Sequence, residues 1–436
     1  MSTHSVAPEN HRPASLASRL ALATLVVSGL LGAGGQAATA VAASAPQPSV
    51  AHGFTITKVA DAPKGASNCD DLTFLNGNLF MGCQNKTLSN GGGGDSTLVE
   101  LSPAGTVLKS WSIKDKIDGL AADPLKHYLI ASLNEDANTH LATITPSAPS
   151  GQQVTYYTYS PDPRAASTPT ALRTGGGTDQ VSVDSSGKVL ITASHAGTST
   201  GTAVFKVVLV PPSSPTGTGV AKLSPTFLDD ATAANGNTGS GTVKLLLGDV
   251  DSGAIVPASS PRFGGSYVIT DQTALELVFA SNIFKGTGLT VLKTTFGLDD
   301  IVWTTAPDGT LYIVDKGATA ILPKTSASAV YKVTGPFVPN TVLASNDGVG
   351  DQVVTVNLAN GKLTPFVQHL QTTKGLVYLA SNGTQTQLPL NGSTSTSSSS
   401  SGSSGGSSNT GLIIGIIVAA LALLGGVAYW FARRGK

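Results

Sequence analysis

The chain has 436 residues, of which only 12 % are charged, and its 26 basic and 26 acidic side chains give a formal net charge of zero. A neutral chain lacks the footprint of a nucleic-acid binder, whose affinity comes mainly from Lys and Arg facing phosphates. Two cysteines, with no Cys-x-x-Cys and no His/Cys cluster, offer no zinc site.

Residues 1–19 are polar and carry Arg12 and Arg19, residues 20–31 are apolar, and small residues follow. Ala38-Thr39-Ala40 and Ala40-Val41-Ala42 both fit a signal-peptidase site. Residues 1–43 therefore read as a cleaved secretory signal; left uncleaved, they would form a second anchor.

Residues 50–386 form the body. Low charge, much Thr, Val, Ser and Gly, and turn residues every few positions predict an all-β domain. It opens with a lone strand over residues 54–59. Next come Cys69 and Cys83, placed across a hairpin by a three-residue loop, Leu75-Asn76-Gly77. A disulfide is expected between them, because the exterior is oxidising.

Five times along the body an aspartate opens a short apolar strand: Asp71-Leu72, Asp118-Gly119-Leu120, Asp179-Gln180-Val181, Asp300-Ile301 and Asp351-Gln352-Val353. Most are followed by a tight turn and a second, more hydrophobic strand. Residues 179–184 turn at Ser185-Ser186-Gly187-Lys188 into 189–192, residues 300–303 turn at Pro307-Asp308-Gly309 into 310–314, and residues 351–356 turn at Asn360-Gly361-Lys362. A third strand and often a fourth come next. Four antiparallel strands repeating at roughly 45–60 residues is the pattern of a β-propeller blade. About six units are countable, including a degenerate one around residues 254–256, 266–270, 275–280 and 289–292. The last offers only three strands, 352–356, 363–367 and 375–379. The lone strand at 54–59 would supply its missing strand and close the ring, leaving no free sheet edge. Tandem β-sandwiches would not predict one strand left over at one end and one missing at the other.

Phrases such as residues 298–315 and 118–133 resemble the NHL-type and senescence-marker/gluconolactonase-like propellers. The resemblance covers most of residues 54–382 and implies architecture rather than activity, because one fold hosts many functions. In gluconolactonase-like relatives a divalent ion in the channel performs the chemistry, held by a mixed Glu/Asn/Asp set that does not map residue by residue onto this chain.

Innermost strands line a propeller's channel, so Asp71, Asp118, Asp179, Asp300 and Asp351 are expected to gather at one mouth. Two readings stay open. Carboxylates held that close would need a cation such as Ca²⁺, or would raise one another's pKa. Alternatively each aspartate caps its own turn by accepting nearby backbone N–H groups. No Gly-x-Ser-x-Gly, Walker or His-Glu-x-x-His motif occurs. Gly91-Gly92-Gly93-Gly94 reads as a loop, and His195 and His369 have no nearby carboxylate or nucleophile in sequence.

Beyond the body, residues 387–410 form a linker. Residues 391–410 hold eleven Ser, four Gly and three Thr, a random coil with a reach on the order of 25 Å. Residues 411–431 carry no charge, end with Tyr429 and Trp430 near the boundary, and are followed by Arg433, Arg434 and Lys436. About 20 apolar residues cross a bilayer, and the basic tail at 432–436 keeps to the cytoplasmic side. The expected molecule is thus a single-pass, membrane-tethered extracellular propeller. Its expected role is a non-catalytic binding module for a carbohydrate, peptide or protein at the cell surface; the alternative is a divalent-metal-dependent lactonase or hydrolase. Cell-wall sorting is a further route to the surface, although Leu388-Pro389 lacks the Thr that such a signal requires and stands far from the apolar run.

Overall fold

The computed structural model describes residues 47–160, 177–194, 201–317, 327–346 and 351–381, with 383, 385, 388, 390 and 391. The expected signal, most of the linker, the apolar run 411–431 and the basic tail lie outside the described residues, as does His195. Among the described residues no helix is long and apolar enough to cross a membrane.

The described chain is almost wholly β, with one 3-10 turn at Ile283–Lys285. It begins with β1 (Ser49–Val50) and β2 (Thr55–Asp61). A meander follows of β3 (Cys69–Leu75), β4 (Asn78–Cys83), β5 (Asp95–Leu101) and β6 (Val107–Lys114). The second meander is β7 (Ile117–Asp123), β8 (Tyr128–Leu133), β9 (His140–Ile144) and β10 (Val154–Ser160). The third is β11 (Thr178–Val183), β12 (Val189–Ala193), β13 (Thr202–Val210) and β14 (Gly219–Leu228). After the short β15 (Thr232–Asn235) and β16 (Thr242–Lys244) comes a fourth: β17 (Val250–Ile255), β18 (Tyr267–Asp271), β19 (Glu276–Asn282) and β20 (Thr287–Lys293). The remainder is β21 (Ile301–Trp303), β22 (Thr310–Asp315), β23 (Ala329–Thr334), β24 (Val342–Asn346), β25 (Gln352–Val356), β26 (Leu363–Gln368) and β27 (Thr373–Leu379).

The arrangement is propeller-like. Strands β3, β7, β11, β17, β21 and β27 adjoin one another in that cyclic order. Each pair of neighbouring units shares one apolar cluster: Phe80, Trp111, Leu129 and Ile144 fill the gap between the first two, and Val181, Ile191, Tyr157 and Leu141 the next. The inner strand β7 and the second strand β12 are buried along their whole length, as expected of strands covered on both faces. Glycine allows the close approach. A Cβ on Gly119 would lie 2.4 Å from the Asp179 carbonyl oxygen, and one on Gly375 2.5 Å from Leu72 N.

Two expectations change in the last third of the chain. Residues 300–303 and 310–314 are not a hairpin, because β21 pairs with β24, Val302 opposite Leu343. Strand β22 instead lies between β23 and β27, giving the sheet order β2-β23-β22-β27, while β1-β26-β25-β24-β21 forms its neighbour. The chain thus weaves twice between two adjacent sheets. Strand β21 is only three residues long, and the Pro307 turn carries the chain into the next sheet instead of folding it back. The N-terminal strand does cover an edge, but against β23, Ile56 opposite Val333. Its sheet has the last strand, β27, innermost.

Cys69 and Cys83 are disulfide-bonded and face each other across β3 and β4, with Cα atoms 3.7 Å apart. The connecting loop is Asn76-Gly77, two residues rather than three, both at positive φ as a type I′ turn requires.

Past β27 the chain crosses the channel at the end opposite to the one where inner strands begin. Ser185 N donates to the Leu388 carbonyl (3.0 Å) and Asn391 N to the Gly265 carbonyl (2.9 Å). Leu390 is buried in the cluster formed by Val250, Ile255 and Tyr267.

Candidate functional site: a charged channel mouth

Where inner strands begin, a cavity of about 170 Å³ is lined by eight carboxyl groups, Asp70, Asp71, Asp118, Glu135, Asp179, Asp251, Asp299 and Asp300. Three lysines share it, Lys116, Lys316 and Lys374, with Gln84 and Gln180. Four of the five expected aspartates, Asp71, Asp118, Asp179 and Asp300, are thus brought together. Asp351 is not. It precedes β25, which lies third from the channel in its sheet because β21 pairs with β24.

The local device that aims these side chains is a β-bulge. Pairing slips between Cys69 and Asp71, between Ile117 and Gly119, between Thr178 and Val181, and between Val250 and Ser252. The extra residues are Asp70, Asp118, Asp179 with Gln180, and Asp251. On β27 the slip falls at Lys374 and Gly375. An extra residue in one strand bends it and redirects its side chain, so each bulge turns a charged group into the channel.

The lysines partition the acids. Lys116 reaches Asp118 at 2.5 Å and Glu135 at 2.6 Å. Lys316 lies 3.2 Å from Asp70 and 3.1 Å from the Gln84 amide oxygen, while Lys374 pairs with Asp299 and stands 3.6 Å from Asp70. Asp300 accepts from Leu376 N (2.6 Å), Ile301 N (2.7 Å) and Ser252 Oγ (3.3 Å), and Gln272 donates to Asp251 (2.5 Å). Asp300 therefore does bond nearby backbone, as a turn cap would. Asp70 Oδ1, Asp71 Oδ2 and Asp118 Oδ2 are buried without a hydrogen-bond partner.

Five more acids than bases share this space, and the excess appears as retained protons. Burial dominates for Asp118 and holds it up at about 8; Lys116 pulls the other way and Glu135 adds to the rise. Burial likewise raises Asp251 and Asp300 to about 7. Asp71 is pushed far above the carboxylate range by burial and by Asp70 and Asp118, and Asp179 by burial and Asp251. Asp70 is the exception: burial opposes its charge, but Lys316, Lys374 and Lys116 together hold it well below the ordinary range. Among the described residues no group of three or more His, Cys, Asp or Glu side chains is arranged to hold a metal ion.

Below the mouth lies a second cavity of about 150 Å³, lined by apolar residues including Leu120, Val181, Ile255 and Trp303 together with the polar Thr73, Ser182 and Thr305, and by Gln385 and Leu388 of the crossing tail. The mouth is the more polar of the two. The loop histidine His369 is exposed and follows β26, away from the mouth's lining.

Fold and site together define a propeller-like all-β protein with a proton-rich, acid- and lysine-lined channel mouth. No family model matches the chain, and no curated protein matches it. Similar solved structures include a protein of unknown function from Bacteroides caccae, 10 % identical over 73 % of this chain and 88 % of that one, with a TM-score of 0.39. A candidate gluconolactonase is 11 % identical over 76 % of this chain and 88 % of its own, also at 0.39. YCF48, solved bound to a D1 peptide, is 11 % identical over 72 % and 71 %, at 0.35.

Proposed function

We propose that this chain is an exported protein held at a membrane by residues 411–431, with a six-bladed propeller as ectodomain, and that it serves as a non-catalytic binding module. The secretory pattern of residues 1–43, the Ser/Gly tether and the charge-free run before Arg433 support the placement. Six adjoining inner strands support the blade count. The observation that carries the binding role is the convergence of eight carboxyl groups on one mouth, with Asp70 Oδ1, Asp71 Oδ2 and Asp118 Oδ2 buried without a hydrogen-bond partner. Such a site recognises a ligand rich in hydroxyl or ammonium groups, because it combines the ionised Asp70 with protonated carboxyls such as Asp71 and Asp179 that both donate and accept. Carbohydrate and peptide chains both present such groups.

A second reading, a Ca²⁺-dependent lactonase, draws on the carboxylate oxygens of Asp71 and Asp118 that are buried without a hydrogen-bond partner, which are hard-cation ligands by chemistry. Binding of the full-length chain to glycan and peptide arrays, with and without Ca²⁺, separates the two. The binding module predicts capture that survives chelation and falls at least ten-fold in Asp71→Asn and Asp179→Asn. Capture unchanged in every mouth variant would move the ligand elsewhere. Lactone hydrolysis abolished by chelation would establish the second reading.

A further inference from the structure

A groove of about 630 Å³ lies away from the mouth, where the second and third meanders meet. Its walls are Tyr128, Tyr157, Val207, Val208, Leu209, Pro211 and Phe284, and it holds three lysines, Lys126, Lys188 and Lys206, with no acid in the lining. Lys126 is held 3.1 Å from Asp123, and Lys188 sits 4.6 Å above the Phe284 ring. Apolar surface is exposed at its wall and beyond it, with Val208 in the lining 52 % and Leu125 outside it 61 % exposed. A roomy apolar groove with a few cationic groups at its wall matches an amphipathic anion.

The position of the last described residues names the occupant. Lys188 belongs to the 184–188 turn whose Ser185 holds Leu388, and Phe284 follows Ser281, whose carbonyl accepts from Asn391 Nδ2 at 3.2 Å. The groove and the last described residue thus share the same two turns, at the end opposite the mouth. Residues 392–436 contain no Asp or Glu and finish in Arg433, Arg434 and Lys436, so their side chains offer nothing to neutralise the lysines. A bilayer surface does.

We propose that the groove seats the headgroup and upper acyl chain of an anionic membrane lipid, docking the body on the bilayer with its charged mouth turned away. The proposal rests on reading residues 411–431 as a membrane span. Native mass spectrometry of the detergent-solubilised full chain, titrated with phosphatidylglycerol or phosphatidylcholine, tests it. Wild type should retain phosphatidylglycerol preferentially, and Lys188→Gln and Lys206→Gln should each lower retention about five-fold, as for a lysine at an anionic surface. Lys64→Gln and Lys109→Gln, exposed and outside the groove, should change nothing. Equal retention of both lipids, or phosphatidylglycerol retention untouched in the Lys188→Gln/Lys206→Gln chain at wild-type melting, overturns the groove. Release of the chain from membranes by alkaline wash would overturn the span instead, and the lipid preference of the purified chain would still decide the groove.

Discussion

At the scale of single residues the mouth stores protons, and that has a sign. Asp118 titrates at about 8 and Asp251 and Asp300 at about 7 in the folded chain, against 3.8 when exposed. Between pH 4 and 8 the native state therefore binds more protons than the unfolded chain, and stability falls as pH rises through this window. Asp70, held low by its lysines, works the other way: the stability it contributes is present above about pH 4 and is lost below it. Melting followed from pH 5 to 8 should show a steady decline, made shallower by Asp118→Asn, which leaves no carboxyl to deprotonate. A melting temperature that rises across that range would mean the acids are ionised in the fold. Asp71, Asp118, Asp179 and Asp300 were legible in sequence because each opens an apolar strand. Asp70, Asp251 and the three lysines were not: Asp70, Asp251 and Lys374 sit in bulges, which depend on pairing across strands, and Lys116 and Lys316 stand just outside the ends of β7 and β22 with no local pattern to mark them. The doubled acids Asp70-Asp71 and Asp299-Asp300 were the available signal.

At the scale of elements the interleaved final sheets matter most. Strand β2 covers the edge of β23, with Ile56 half-buried and Val59 and Ala60 packed against the cluster around Leu72 and Tyr312. Deleting residues 55–61 removes that apolar contact and bares an unpaired edge. The expected loss is on the order of 3 kcal/mol, from one or two half-buried aliphatic side chains and their ladder, whereas deleting seven residues of the serine tether should leave melting unchanged. Equal melting of the two deletions would show that β2 holds nothing. The opening hairpins of the first three units, β3–β4, β7–β8 and β11–β12, could be drawn from local pattern, since each turn is short and its strands are sequence neighbours. The exchange of β22 and β24 could not, because a strand of three residues carries no preference between two partners of similar apolarity, Leu311 and Leu343.

At the scale of the whole molecule the crossing tail ties the closed end together. Leu390 is 3 % exposed among Val250, Ile255 and Tyr267, so Leu390→Ala should cost about 2–5 kcal/mol, as for other buried leucines. Docking through Asn391 also limits protease access. Digestion of intact cells should release a fragment whose C-terminus falls beyond Asn391, within the serine tether. A fragment ending before Leu388 would contradict the tail contacts, and protection of the whole body until lysis would contradict its outward placement.

The sequence by itself determined the all-β class, the repeat, the Cys69–Cys83 pair and four aspartates of the mouth, because periodicity, turn residues and strand-opening acids act over a few neighbouring positions. It also carries the expectation of export and anchoring, whose segments lie outside the described residues. Tertiary structure decided what depends on distant partners. It set which strand is innermost in the last two sheets and so excluded Asp351, and it placed Lys116, Lys316 and Lys374 among the acids. It also laid the tail across the channel. Each of these follows from pairing and packing between residues far apart in sequence, where a shift of one register position turns a side chain from the channel to the opposite face.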